Sequence, residues 1–85
     1  MRMFVISDNN DTVAGMRLAG VDGVVLHTRD EVISELGRLY ADSSVGIILI
    51  TGKLRELAGD YIEEQKQKNP MPLILDIPDR HGVTG

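Results

Sequence analysis

Eighty-five residues, 42% of them apolar, are enough for one small domain with a single core and are too apolar for a disordered tail. With no cysteine there is no disulfide framework, thiolate metal site or cysteine nucleophile, and no apolar run approaches the ~20 residues that span a bilayer. Nine Lys and Arg against thirteen Asp and Glu give a net charge of −4, so we expect a small intracellular domain that neither enters a membrane nor binds nucleic acid.

Four short apolar runs predict four β-strands. They cover residues 3–6, 21–26, 45–50 and 73–77. Each run is too short for a buried helix and is rich in Val, Ile and Leu without alternating polar positions. Such runs are typical of strands covered on both faces, as in parallel sheets.

Three stretches between these runs have helical periodicity: residues 9–19, 28–40 and 53–68. Polar Asn9 suits the start of the first helix, and Gly20 stands where it would stop. Thr28 and Glu31 have the spacing of a capping box at the start of the second. The third is predicted as one helix, weakened by Gly59, with one apolar face formed by Leu54, Leu57, Ala58, Tyr61 and Ile62.

The alternation of strands and helices predicts an α/β fold with a four-stranded parallel sheet in the order 2-1-3-4, flanked by helices. This arrangement is receiver-like or Rossmann-like. We expect residues 1–78 to form a single domain. Residues 79–85 contain two glycines and no periodicity, so we expect a flexible C-terminal segment there.

Ligands of open parallel sheets bind beyond the carboxyl ends of the strands. A phosphorylatable receiver needs acidic residues after the first strand and an Asp at the end of the third. Asp8 could supply one acid, but the third strand ends in Ile50-Thr51-Gly52, without a carboxylate. The sequence therefore argues against phosphoryl transfer.

Other chemistry is equally poorly supported. The turn at residues 7–12 lacks the glycines of a dinucleotide-binding fingerprint, and residues 46–53 have the wrong spacing for a P-loop. His27 and His81 have no second ligand at metal spacing, and Ser7 lacks the glycines of a hydrolase elbow. We expect no catalytic, cofactor or metal site, which favours a binding or coupling module over an enzyme.

Four segments of the sequence together point to a known family. The most specific is residues 15–21, Gly-Met-Arg-Leu-Ala-Gly-Val, and the others are the strand segments 4–8, 46–51 and 72–78. In this order they resemble the F subunit of the rotary V-type ATPase/ATP synthase, whose first, third and fourth strands are similar to the three strand segments. Met16 replaces the aromatic residue usual in that family, and the resemblance covers nearly all of the chain.

This resemblance implies a non-catalytic component of the central stalk. It would dock on the coiled coil of the stalk's D subunit and help couple ATP turnover in the A/B hexamer to ion transport, needing no cofactor. It would be cytoplasmic and peripheral to the membrane, in the soluble V1/A1 sector. Family members usually continue into a C-terminal helix, which we expect to be absent from a sequence ending at Gly85.

We place the docking surface for the D subunit, as a hypothesis, at the end of the first helix. Arg17 and Leu18 do not fit a helix stripe that faces only the core. The small residues Ala19 and Gly20 would allow the backbone of a partner to approach closely. The predicted segment comprises Met16, Arg17, Leu18, Ala19 and Gly20. A purely structural role for Gly15 and Gly20, in packing and in ending the helix, explains these glycines equally well.

Two alternatives stay open at this point. One is a degenerate receiver-like domain that binds a regulatory partner without being phosphorylated. The other is an enzyme with an acidic Mg²⁺ site around Asp8. Only the stalk hypothesis requires a long helical hairpin as the partner.

Overall fold

The computed structural model describes residues 1–77 and contains four strands and four helices. In chain order they are β1 (Arg2–Ser7), α1 (Asn10–Leu18), β2 (Asp22–Val25), α2 (Arg29–Tyr40), β3 (Val45–Thr51), α3 (Gly52–Leu57), α4 (Gly59–Lys68) and β4 (Leu73–Ile77). All strand pairs are parallel and the order is β2-β1-β3-β4, which confirms the predicted fold class and strand order. The predicted segment 79–85 lies outside the described residues.

Helices cover the two faces of the sheet unequally. On one face, α2, α3 and α4 pack on the main core, whose buried residues are Phe4, Ile6, Val32, Leu36, Leu39, Val45, Ile48, Ile50, Leu54, Ala58, Ile62 and Ile74. On the other face α1 packs against β1 and β2 and buries a smaller cluster around Val5, Val13 and Leu49. Each central strand is therefore buried from both sides over most of its length.

The edge strand β4 departs from the prediction that all four runs are covered on both faces. Ile74 points into the main core, but Leu73 and Leu75 are 48% and 47% exposed. These two side chains lie on the same face as α1, because side chains alternate along a strand. On that face α1 packs mainly on β1 and β2 and reaches Leu49 of β3, and none of the described helices covers β4 there.

The predicted helix over residues 53–68 is wrong in one respect, since the chain breaks at Ala58 into α3 and α4. Leu54, Ala58 and Ile62 are buried in the core as predicted, whereas Leu57 is 39% exposed rather than inward. The Leu57 carbonyl accepts a hydrogen bond of 2.9 Å from Arg29 on α2. Arg29 also donates to both carboxylate oxygens of Asp60 at the start of α4, and this pairing lowers the pKa of Asp60.

The predicted caps of the first two helices are confirmed. The side chain of Asn9 accepts from the backbone N–H groups of Asp11 and Thr12 at the start of α1. At the start of α2, Thr28 and Glu31 form a capping box. Its reciprocal bonds satisfy backbone N–H groups that have no partner within the helix.

The end of α1 requires glycine at one position. Gly20 has φ of 89°, the left-handed region that L side chains rarely adopt. The N–H of Gly20 donates to the carbonyl of Arg17, and the N–H of Val21 donates to that of Met16. These bonds close the helix by satisfying carbonyls of its last turn.

Gly20→Ala should lower the free energy of unfolding by about 1 kcal/mol, because alanine is strained at positive φ. Gly15 provides the matched control: it lies within α1, and a Cβ added there meets no atom within 4 Å. Gly15→Ala should therefore raise the stability by up to about 1 kcal/mol. Urea unfolding of both variants checks the pair, and equal effects at the two positions would contradict the assignment.

The capping box predicts a specific pH dependence. The carboxylate of Glu31 accepts from the backbone N–H groups of His27 and Thr28, each at 3.1 Å, and this lowers its pKa. A carboxyl group with a lowered folded pKa stabilises the fold above its unfolded pKa of about 4.3, and that contribution is lost as the pH falls through the folded value. Glu31→Gln should flatten the loss of stability below about pH 4, as measured by thermal unfolding against pH; superimposable profiles would refute it.

Candidate interaction surface

At the carboxyl edge of the sheet, the hydroxyl side chains at the ends of β1 and β3 form hydrogen bonds with neighbouring residues of the protein. Thr51 ends β3, is 1% exposed and donates from Oγ1 to Oδ1 of Asp8 at 3.2 Å. Ser7, fully buried at the end of β1, accepts on Oγ from the backbone N–H of Asn9 at 2.9 Å. A hydroxyl thus occupies the strand end at which a receiver carries its phosphoacceptor carboxylate.

The remaining residues that were considered for catalysis or metal binding do not lie together in one site. The backbone N–H of His27 takes part in the capping of α2, and Lys53 lies in the first turn of α3. Within residues 1–77, no group of three or more His, Asp or Glu side chains has an arrangement that could hold a metal ion. None of the helices in this part of the chain is long and apolar enough to cross a bilayer.

The predicted docking segment forms the last turn of α1 and the turn that follows. Met16 is partly buried against the smaller apolar cluster, whereas Leu18 is 91% exposed. Arg17 donates from Nη2 to the carbonyl of Gly23 on β2 at 3.2 Å. Ala19 is the C-cap, and Gly20 has the positive φ described above. The five residues are contiguous, but their side chains point in different directions.

Helix geometry separates these directions. Residues advance by about 100° around an α-helix, and Val13 points at the sheet. Ala14 and Arg17 therefore lie on one flank of α1. Thr12 and Met16 lie on the opposite flank. Ala14 and Arg17 line a shallow groove along β2. Met16 therefore lies on the flank that faces β3. Leu18 projects outward, away from the sheet.

Beyond that flank lies an apolar surface that the sequence analysis missed. We call it the open face; it consists of Met3, Ile47, Leu73, Leu75 and Ile77. The strand register places Met3 beside Ile47 and Ile47 beside Leu73, with Leu75 in the next row beside buried Leu49. Every side chain of the open face is uncharged. Met3, Leu73 and Leu75 are between 37% and 48% exposed.

A signal for the open face was present in the predicted topology. Right-handed crossovers in the order 2-1-3-4 place the first helix on one face and the next two crossover segments on the other. Four strands thus receive unequal cover on their two faces. Apolar composition alone did not reveal this, because Leu73 and Leu75 are as apolar as the buried side chains of β3.

Comparison with known proteins assigns the chain to a family. Residues 3–85 match the family model described as ATP synthase (F/14-kDa) subunit. The F subunit of the A-type ATP synthase of Methanothermobacter thermautotrophicus is 38% identical over 79 residues, covering 92% of this chain and 73% of that protein. The proteins of the same name from Pyrococcus abyssi and Methanocaldococcus jannaschii are 40% and 31% identical, each alignment covering 96% of this chain and 79% of the relative. The chain therefore belongs to the ATP synthase (F/14-kDa) subunit family.

Proposed function

We propose that this chain is a non-catalytic component of the central stalk of a rotary ATP synthase. In that role it docks on the coiled coil of the stalk's D subunit and helps couple ATP turnover in the A/B hexamer to ion transport. The observation that carries the proposal is the family match over residues 3–85. The site of action is the cytoplasmic side of the membrane, peripheral to the lipid.

The exposure of Leu18 supports docking through the predicted segment, Met16 to Gly20. A leucine that is 91% exposed at the end of a helix gains on burial by a partner, and full burial of such a side chain contributes about 1.5–3 kcal/mol. Ala19 and Gly20 add little bulk beside it, so a partner helix can approach the backbone closely.

Arg17 has a different role within this segment. Its guanidinium bridges α1 to the Gly23 carbonyl on β2, which holds the helix end against the sheet. Met16 anchors the same turn from the opposite flank by packing against the smaller apolar cluster. The two residues thus position Leu18 on a rigid support, which limits the entropy lost on docking.

The hydrogen bond between Thr51 and Asp8 supports a role without phosphoryl chemistry. It uses an oxygen of the one carboxylate at the end of β1, and β3 contributes a hydroxyl rather than a second carboxylate. Mg²⁺ bound through a single carboxylate depends on further oxygen ligands such as substrate phosphates. The carboxyl edge is therefore better suited to holding the strand ends together than to catalysis.

Leu18→Asp should raise the dissociation constant for the D subunit at least about tenfold, since it replaces a contact of about 1.5–3 kcal/mol with a charge. Leu57→Asp is the matched control, because Leu57 is also an exposed leucine but belongs to α3, on the other face. Isothermal titration calorimetry measures both affinities, and thermal unfolding verifies that both variants are folded. Unchanged affinity of folded Leu18→Asp would contradict docking through this segment.

We expect no Mg²⁺ site in the folded protein, so millimolar Mg²⁺ should leave its melting temperature unchanged. A ligand that bound only the folded state would raise the melting temperature. Differential scanning calorimetry with and without Mg²⁺ measures this. A saturable increase that disappears in Asp8→Asn would contradict the proposal and favour a metal-dependent activity at the carboxyl edge.

A further inference from the structure

The outer edge of β2 is open to strand pairing. β2 lies at one end of the sheet, with β1 as its neighbour on one side and no strand of residues 1–77 on the other. Its pairs with β1 run from Asp22 to Val25 without a bulge. A regular edge strand of this kind presents backbone N–H and C=O groups with which a strand of another chain can pair.

The hydrogen bonds to β1 identify the backbone groups of β2 that point outward. The N–H of Leu26 donates to the carbonyl of Ser7 at 2.9 Å. The N–H and C=O groups of one residue in a strand point to one side, and those of the next residue point to the other side. Leu26 and Val24 therefore direct these groups at β1. Gly23 and Val25 direct theirs outward, along the free edge.

Arg17 already occupies one of these outward groups. Its Nη2 atom donates to the carbonyl of Gly23 at 3.2 Å. The guanidinium reaches the edge from α1, which packs beside β2. A strand that arrives at this edge meets the guanidinium in its path and has to displace a charged donor from the carbonyl.

β2 has no charged side chain of its own at the point that Arg17 reaches. Residues 23–25 are Gly, Val and Val. Asp22, at the start of the strand, is paired with Arg2 of β1 at 3.6 Å. The other edge strand, β4, includes the exposed Asp76. Charged side chains at a sheet edge prevent edge-to-edge pairing, and at the outward groups of β2 this charge comes from a neighbouring helix.

We infer that Arg17 caps the outer edge of β2 and keeps this strand from pairing with the β2 strand of a second copy of the chain. A second copy presents the same edge, so two copies related by a two-fold axis could pair these residues with themselves. Displacing a hydrogen bond to a charged group changes an equilibrium constant by about tenfold or more. The inference does not depend on the proposed function, because the D subunit takes no part in it.

The experiment compares two arginines. Arg17→Ala removes the cap, and because alanine is favourable in a helix it keeps α1 intact. Arg38→Ala is the matched control: Arg38 is also an exposed arginine on a helix, but its carboxylate partner is Glu35 of the same helix. Both variants remove one positive charge. Sedimentation velocity over a dilution series measures the self-association of each variant and of the unsubstituted protein, and thermal unfolding verifies that all three are folded.

A second substitution tests whether the edge of β2 is the surface that pairs. Val25→Pro, added to Arg17→Ala, removes an outward N–H but no hydrogen bond to β1, and proline is tolerated at such positions of edge strands. In case the double variant does not fold, amide hydrogen exchange at Gly23 and Val25 is measured in Arg17→Ala at high and at low protein concentration.

We expect Arg17→Ala to associate at least about tenfold more tightly than the unsubstituted protein, and Arg38→Ala to differ from it by less than about twofold. Val25→Pro should reverse the association, and exchange at Gly23 and Val25 should slow as the concentration rises. Equal self-association of the three proteins overturns the inference. Association of Arg17→Ala that persists with Val25→Pro, or that leaves exchange at these two amides unchanged, also overturns it, since a different surface then pairs.

Discussion

The handedness of the crossovers is the constraint on which the structure depends. A connection between parallel strands is right-handed, so the direction of each step across the sheet decides which face its helix covers. The step from β1 to β2 runs one way, and the steps to β3 and to β4 run the other way. Among the helices of residues 1–77, α1 therefore lies alone on its face. The burial of β1 and β3, the exposure of β4 and the position of α1 all follow from that arrangement.

Local signals made much of the fold predictable from the sequence. The strand positions follow from short apolar runs, and the capping box of Thr28 and Glu31 fixed the start of α2 because both partners lie within one turn. Gly20 marked the end of α1 because few other residues adopt a positive φ. Each of these features depends on residues close together in the chain.

Features that depend on distant residues were harder to predict. The break at Ala58 is one, since Arg29 on α2 bonds both the Leu57 carbonyl and the Asp60 side chain on either side of it. The exposure of Leu75 is another, because it is decided by where α1 lies rather than by β4. The role of Arg17 is a third, since its acceptor, the Gly23 carbonyl, is on a strand that follows a turn. Residue composition and hydrophobic periodicity carry no information about these contacts between residues that are distant in the chain.

The same topology that leaves β4 exposed also limits the contacts that stabilise this strand. Along the described chain β4 is an edge strand with one neighbour, β3, and half of its apolar side chains lack cover. Any element that covers Leu73 and Leu75 would stabilise this strand more than β1, most of which is already buried. Binding energy would then be divided between attachment and the ordering of β4. The face with incomplete cover is therefore the one where added contacts would contribute the most rigidity.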